Sequence, residues 1–431
     1  MDEHSPLDAL RREYHADSTP EEVLAECLAL ANSNASHNTY ITLDAAWSER
    51  QVAALPREHP SHFPLYGVPV SLKDCFDLAG FPTSAGSRFY YDQGPRAEDS
   101  AIAVRLQERG AILTGKTHLQ QLAYGITGEN PDFGDCLQPE DAALLTGGSS
   151  SGAAASVQEG SALAAIGTDT GGSIRTPAAL CGLAGFRVSQ EFTAELWRGG
   201  VHLSPTFDTL GMLHADLRDA PALANAVFDV PLVESPLMEH VRIGMPEESF
   251  LHDCDDAVRA SLDAWEQVLA QQGAHIVRFS TKIFAEAFEI FAPIQAFEAA
   301  KIHAGHFEHF STVIAERLAW GASLSEGEIV ELHERRLTFE QEMAALFAQD
   351  DLDCLLMPAT PVAALFAEAD QSEARTKILR YTVPVSLARL PAVTLPPIVE
   401  GASVGLQLAS PVRSDATLLA FAASLAQYAA D

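Results

Sequence analysis

The stretch Ala162-Leu163-Ala164-Ala165-Ile166-Gly167-Thr168-Asp169-Thr170-Gly171-Gly172-Ser173 passes from an apolar run into a glycine turn that ends on a serine. Its apolar part predicts a short buried strand, and the segment from Pro177 to Leu183 has a helical pattern. The glycines at 171 and 172 permit unusual backbone dihedrals and the close approach of a carbonyl group. The stretch therefore predicts a strand, turn and helix that present the Ser173 hydroxyl.

Strands and helices alternate on either side of this stretch. Strands are predicted at 66–73 and 111–116, with a helix over 101–109 between them. Strand character returns at 352–358 and 392–396. This alternation predicts the α/β class, with one large sheet that carries helices on its faces.

The chain shows no internal repeat and no low-complexity linker, so we expect one domain over residues 1–431. Four segments are expected within it. They are peripheral N-terminal helices at 1–60, a core with the glycine turns at 61–215, a mostly helical variable region at 216–350, and returning core strands with a C-terminal helix at 351–431.

The composition excludes several classes of partner. A net charge of −32 repels phosphate backbones, so we expect no nucleic-acid binding. No apolar run is long enough to cross a membrane, and Met1-Asp2-Glu3-His4 lacks an apolar signal core, so we expect cytoplasmic residence. The six cysteines show no C-x-x-C spacing and are expected to be buried, reduced thiols.

Three segments together carry the groups for acyl transfer. A serine hydroxyl is a weak nucleophile until a base removes its proton, and a lysine can be that base if burial lowers its pKa. Lys73 ends an apolar strand in a chain with only five lysines. The loop Gly147-Gly148-Ser149-Ser150-Ser151-Gly152 offers hydroxyls that can relay a proton, and the turn before Ser173 offers backbone N–H groups for an oxyanion.

In order and spacing, these segments resemble the amidase signature family of serine hydrolases, which use a Ser–cisSer–Lys triad. The resemblance covers most of the chain, including Gly67-Val68-Pro69-Val70-Ser71-Leu72-Lys73-Asp74. It implies that Lys73 is the base, Ser149 the relay serine after a cis peptide, and Ser173 the nucleophile. It also implies that the oxyanion donors are the backbone N–H groups of Thr170, Gly171, Gly172 and Ser173.

The family resemblance carries further expectations. It implies a central mixed, twisted sheet with helices on both faces, and hydrolysis of a C–N bond in a small-molecule amide through an acyl-enzyme. It implies no cofactor and no metal, and it allows a homodimer. Two alternatives stay open within the family: a glutaminase-type subunit of a tRNA-dependent amidotransferase, and a carbamate- or ureido-specific hydrolase.

Departures from the family pattern bear on the substrate. Ser386 and Arg389 stand where the family has an asparagine and a glycine, and we expect them to alter the acyl pocket. Ser151 replaces a glycine in the serine loop, and Arg187 replaces a lysine after the nucleophile. The triad is intact, so the chemistry is predicted while aryl amides, aliphatic amides, carbamates and ureido compounds all stay open.

Other patterns favour structural roles or competing sites. Asp169 and Arg175 flank the nucleophile turn and are expected to form an ion pair that shapes the loop. Gly148–Gly152 matches the G-x-S-x-G elbow with Ser150 as nucleophile, but this leaves Lys73 and the second turn unexplained. His303, His306 and His309 recur every third residue and would share a helix face, without the further ligand that a metal site needs.

Overall fold

The computed structural model describes residues 4–16, 18–56, 63–398 and 404–428. This part of the chain forms one sheet of eleven strands, flanked by helices. The strands are β1 (Tyr40–Thr42), β2 (Pro69–Lys73), β3 (Ile112–Thr117), β4 (Ala164–Asp169), β5 (Ala184–Arg187), β6 (Thr209–His214), β7 (Arg242–Pro246), β8 (His275–Phe279), β9 (Cys354–Pro358), β10 (Ala392–Leu395) and β11 (Leu406–Ala409). The α-helices are α1 (Pro6–His15), α2 (Pro20–Ser33), α3 (Ala45–Ala54), α4 (Arg88–Tyr91), α5 (Ala101–Glu108), α6 (Ser151–Gln158), α7 (Arg175–Leu180), α8 (Ala220–Phe228), α9 (Asp256–Gln271), α10 (Ala287–Ile302), α11 (Thr312–Ser323), α12 (Glu326–Gln349), α13 (Ser372–Leu387) and α14 (Asp415–Ser424).

The sheet is mixed, as expected. Its strand order is β1-β3-β2-β4-β6-β5-β10-β11-β9-β7-β8. The pairs β2–β3, β2–β4, β7–β8 and β7–β9 are parallel, and the remaining pairs are antiparallel. Every residue of β2, β3 and β4 is buried, which requires cover on both faces of the sheet. The predicted α/β class and the mixed sheet flanked by helices are confirmed.

Two of the predicted helical segments also supply strands. The N-terminal segment adds β1, which pairs antiparallel with β3. The region 216–350 adds β7 and β8. The sequence did not indicate β8 because its residues mix polar and apolar types and four of the five are partly or fully exposed. Residues 1–3, 17, 57–62, 399–403 and 429–431, which fall within predicted segments, lie outside the described residues.

The sheet brings the three chemistry-bearing segments to one edge. β2 and β4 are parallel neighbours, with Val70 opposite Ala164 and Leu72 opposite Ile166. Their carboxyl ends, Lys73 and Asp169, therefore lie at the same edge of the sheet. Helix α6 packs against both strands and begins at Ser151, in the last part of the glycine–serine loop, so this loop lies near the two strand ends.

Candidate active site

Lys73 is fully buried and is bound by three hydroxyl groups. Its Nζ donates to Ser149 Oγ at 2.9 Å, to Ser150 Oγ at 2.9 Å and to Thr168 Oγ1 at 2.8 Å. Burial lowers the pKa of Lys73 from 10.5 to about 8, although nearby acidic groups such as Asp208 and Asp169 partly oppose this. With this pKa, about one lysine in ten is neutral at pH 7 and can accept a proton, far more than for an ordinary lysine.

The glycine–serine loop positions Ser149 against the lysine. The Gly148–Ser149 peptide bond is cis. The Ser149 carbonyl accepts from the Gln120 N–H at 3.2 Å, which fixes the backbone beside Lys73. Within the described chain, the Ser149 hydroxyl has Lys73 as its hydrogen-bond partner, so its proton is free to move toward another group.

The Ser150 hydroxyl is buried and hydrogen-bonded to neighbouring segments, which does not suit a nucleophile in an elbow turn. Its buried Oγ accepts from Lys73 and donates to the Thr168 carbonyl at 3.1 Å. Its backbone N–H donates to the Ser173 carbonyl at 3.3 Å. Ser150 therefore ties the lysine strand, β4 and the second serine turn together, whereas the nucleophile elbow would need an exposed hydroxyl after a strong strand.

The turn before Ser173 is shaped by the Asp169 carboxylate. Asp169 accepts from the N–H groups of Gly172 at 2.9 Å and Ile174 at 3.1 Å. Gly172 has φ of +125°, and a Cβ there would lie 2.8 Å from Thr382, so only glycine fits. Since the Gly172 N–H is bound to Asp169, this geometry leaves Thr170, Gly171 and Ser173 as the residues of the turn whose N–H groups have no acceptor among the described residues.

Ser173 itself lies at a narrow cavity. It is 3% exposed, and its Oγ forms no hydrogen bond within the described part of the chain. The structure thus brings Lys73 and Ser149 into direct contact and places Ser173 beside the same loop through its carbonyl. Among the described residues, the Ser149 and Ser173 hydroxyl groups do not form a hydrogen bond with each other.

Asp169 is the centre of a buried ion cluster. It contacts Arg175 at 3.0 Å and Arg187 at 2.9 Å, and all three side chains are at most 1% exposed. Burial alone would raise the pKa of Asp169, but the two guanidiniums hold it well below its usual range. Asp169 and Arg175 thus form the predicted ion pair, and Arg187, a departure from the family's lysine, joins it.

The same ion cluster includes Ser386, whereas Arg389 lies elsewhere. Ser386 Oγ accepts from Arg175 at 2.7 Å and is fully buried. Arg389 donates to Gln190 and lines a separate, larger cavity of about 880 Å³. Neither residue lines the cavity at Ser173, and Ser386 contacts Arg175, which pairs with Asp169 in the turn before Ser173. An effect of these two residues on the acyl pocket stays a prediction.

We expect Asp169→Asn to destabilise the protein by about 3–5 kcal/mol, because it leaves two buried guanidiniums without their carboxylate. Urea unfolding at pH 7 measures the change. Asp229→Asn is the matched control, because Asp229 pairs with Arg105 and Arg109 at the surface and should cost under about 1 kcal/mol. Equal costs for the two variants would contradict a structural role for the buried cluster.

The cavity at Ser173 is lined by residues that the sequence did not single out. Its volume is about 20 Å³, room for little more than one water molecule, so side chains must move to admit a substrate. Besides Thr170, Gly171 and Ser173, the lining residues include Tyr124, Leu203, Gln295, Arg375 and Leu379. The sequence analysis also did not single out Thr168, whose hydroxyl is the third hydrogen-bond partner of Lys73, although Thr168 lies in the segment 162–173.

The histidines at 303, 306 and 309 do not share a helix face. Helix α10 ends at Ile302, and the last two histidines lie on a separate short turn. The His303 ring nitrogen Nδ1 bonds the Tyr90 hydroxyl at 2.8 Å, and the His309 ring stacks on Phe89 with centroids 4.2 Å apart. Across the described ranges, no three His, Cys, Asp or Glu side chains are grouped to hold a metal ion.

Among the described residues, no helix is long and apolar enough to span a bilayer.

Lys116 is held by Asp74 and by the Thr83 hydroxyl at 2.9 Å, away from both serine turns. Its buried ion pair agrees with a structural role. Lys73 is thus the lysine that the fold places at the serine loop.

Comparisons with known proteins give one consistent family. The family model described as Amidase matches residues 22–419. The chain is 34% identical over 412 residues to 2-amino-5-chloromuconic acid deaminase of Comamonas testosteroni, covering 89% of this chain and 87% of that protein. It is 28% identical to a subunit of the glutamyl-tRNA(Gln) amidotransferase of Desulforudis audaxviator, covering 88% and 86%. A crystal structure of an amidase superimposes with a TM-score of 0.89 at 30% identity, covering 99% and 100%.

Proposed function

Because the chain belongs to the amidase family, whose enzymes hydrolyse C–N bonds, we propose that it cleaves the amide bond of a small molecule through a Ser173–Ser149–Lys73 triad. The observation that carries this proposal is the buried Lys73 ammonium group bound to Ser149 at 2.9 Å, beside the turn that holds Ser173. The lowered pKa of Lys73 supports its role as base.

The proposed reaction has two steps, acylation of Ser173 and hydrolysis of the acyl-enzyme. Neutral Lys73 takes a proton through Ser149, and Ser173 Oγ forms a bond to the substrate carbonyl carbon. The tetrahedral oxyanion is stabilised by backbone N–H groups of the turn, and the C–N bond breaks as the amine receives the proton through the same relay. Water then attacks the acyl-enzyme by the reverse route, which releases the carboxylic acid and restores Ser173.

The N–H groups that face the oxyanion follow from the turn geometry. Gly172 was predicted as a donor, but its N–H is bound to Asp169. We therefore assign the donor role to the N–H groups of Gly171 and Ser173, with Thr170 beside them. Gly172 instead fixes the shape of the turn through its bond to Asp169. The Thr170 hydroxyl donates to Asp208 at 2.6 Å, which holds this residue in place.

A fluorophosphonate probe tests the nucleophile directly. The probe phosphonylates an activated serine, and mass spectrometry of the digested protein identifies the modified peptide. We expect modification at Ser173 and loss of labelling in Lys73→Met. Labelling at Ser150 instead would favour an elbow hydrolase and would reject the proposed triad.

The relatives named as amidotransferase subunits keep a glutaminase role as the second candidate. Seven such relatives are 28–32% identical to this chain. Ammonia release from glutamine by the purified chain, and co-purification with a second subunit, would favour that role. Hydrolysis of other amides by the chain alone, without glutaminase activity, favours the stand-alone amidase.

The remaining expectations stay predictions. They are cytoplasmic residence, a homodimer, the absence of nucleic-acid binding, and catalysis without metal or cofactor. The net charge of −32 supports weak affinity for nucleic acid. Light scattering measures the oligomeric state, and dialysis against a chelator should leave the activity unchanged.

A further inference from the structure

The cavity at Ser173 contains polar side chains that the proposed mechanism does not use. Tyr124, Gln295 and Arg375 line it together with Ser173 and Gly171. Within the described part of the chain, none of these three side chains forms a hydrogen bond. The Arg375 Nε is buried and has no partner there. Buried donors are normally satisfied, so the Arg375 Nε is a donor that lacks an acceptor.

A second arginine adds to the positive charge beside the cavity. Arg317 donates to the Tyr124 carbonyl at 2.6 Å, and its guanidinium lies 5.4 Å from the centre of the Tyr124 ring. Burial, together with the nearby Arg317 charge, lowers the pKa of Arg375 to about 10. Burial raises the pKa of Tyr124 to about 12, and the charges of both guanidiniums oppose this rise, so both cations lie near the phenol.

No carboxylate among the described residues forms an ion pair with either arginine. Glu129 is the acidic residue whose charge reaches Arg317, and its carboxylate accepts from the Thr127 hydroxyl at 2.7 Å. In a chain with a net charge of −32, two neighbouring arginines without a carboxylate partner are unusual. Both arginines are partly buried. A guanidinium that is shielded from water is stabilised when an anion binds it, and its planar donors match a carboxylate.

We propose that Arg375, assisted by Arg317, binds a carboxylate group of the substrate, so that the enzyme acts on small amides that carry a second, ionised carboxyl group. This inference rests on the proposed function, since it names the substrate class of the same site. Gln295 and Tyr124 contribute further donors. Leu203 and Leu379 form apolar walls, which suits a short hydrocarbon chain between the carboxylate and the amide.

Matched substrates test the inference. Succinamate and glutaramate carry a carboxylate, and butyramide and valeramide are neutral amides of similar length. Ammonia release gives kcat/KM for each. We expect the wild type to favour the carboxylates by about 10- to 150-fold, the range for hydrogen bonds to a charged group. Arg375→Met should reduce this ratio toward one, mainly through KM, and Arg375→Lys should restore part of it.

Matched controls separate charge at the cavity from charge elsewhere. Arg413→Met removes an exposed arginine whose side chain is 77% accessible, and the substrate ratio should not change. Arg317→Met should reduce the ratio less than Arg375→Met, because Arg317 does not line the cavity. Circular dichroism and the Tm of each variant verify that it is folded.

Binding without catalysis provides an independent measurement. Succinate, glutarate and adipate are titrated into Ser173→Ala by calorimetry, and into Ser173→Ala with Arg375→Met. We expect binding that the second substitution weakens at least tenfold. Absent or unchanged binding of all three, together with equal kcat/KM for charged and neutral amides, overturns the carboxylate site. Failure of the proposed function has a different signature: no fluorophosphonate label at Ser173, or full activity in Ser173→Ala.

Discussion

Ser173→Ala is expected to lower kcat by at least about 10³-fold, with little change in stability. The substitution removes the oxygen that we propose forms the acyl-enzyme, while the neighbouring N–H groups and the cavity walls stay in place. The Ser173 hydroxyl has no hydrogen-bond partner in the described chain, so its loss leaves no buried group newly unsatisfied. Steady-state kinetics on a hydrolysed amide, together with thermal unfolding, measure the two effects.

Two comparison variants make this result specific. Ser280→Ala removes an exposed serine far from the site in sequence and should leave kcat unchanged. Ser150→Ala removes a hydroxyl that contacts Lys73 and the Thr168 carbonyl, so we expect a smaller loss together with some destabilisation. If activity survives in Ser173→Ala but is abolished in Ser150→Ala, the nucleophile is Ser150 and the proposed triad is wrong.

Lys73→Met is expected to lower kcat/KM by about 10³-fold or more at pH 7, because no other base contacts Ser149 in the described structure. Part of the rate should return at high pH, where hydroxide can remove the serine proton. Lys301→Met is the control, since Lys301 pairs with Glu326 at the surface. Near-normal turnover of Lys73→Met at neutral pH would show that another group is the base.

The wild-type pH profile should reflect the same lysine. Its pKa of about 8 means that the active, neutral form increases as pH rises, so kcat/KM should climb up to about pH 8 and then level off. Stability follows the same direction. Because the folded pKa lies below the unfolded value of 10.5, the unfolded chain binds more protons between about pH 8 and 10.5, and stability rises with pH there. Lys73→Met should remove the plateau near pH 8 and the stability gain above it, leaving only the slow, hydroxide-dependent rate at high pH. A flat wild-type rate profile between pH 6 and 9 would contradict the role of Lys73.

The sequence predicts those strands and helices that have a recognisable pattern of apolar and polar residues over a short stretch of chain. The strands that became β2, β3 and β4 are apolar runs between glycine or polar punctuation, and the Lys73–Ser149 contact follows once β2 and β4 are parallel neighbours. Edge strand β8 was missed because an exposed strand lacks a continuous apolar run. The sequence pattern likewise gives no indication of β1, which has only three residues.

The cavity could not be predicted in the same way. Tyr124, Gln295 and Arg375 come from three segments separated by 80 residues or more, and their meeting depends on how helices α10 and α13 pack against the nucleophile turn. The bond from the Gly172 N–H to Asp169 also depends on three-dimensional detail, since a glycine turn offers several N–H groups without indicating which one points inward.

Helix α13 carries a consequence for attempts to redirect this enzyme to new compounds. Near its start it bears Arg375, which lines the cavity, and two turns later Thr382 Oγ1 donates to the Gly171 carbonyl at 2.6 Å while the Thr382 carbonyl accepts from Arg175 at 3.0 Å. If Arg375 binds substrate and Ser173 is the nucleophile, as proposed, substrate recognition and the shape of the turn before Ser173 depend on the same helix. Libraries that randomise this helix should yield many inactive clones, and selectivity will be easier to evolve at cavity residues outside it, such as Tyr124 and Leu203.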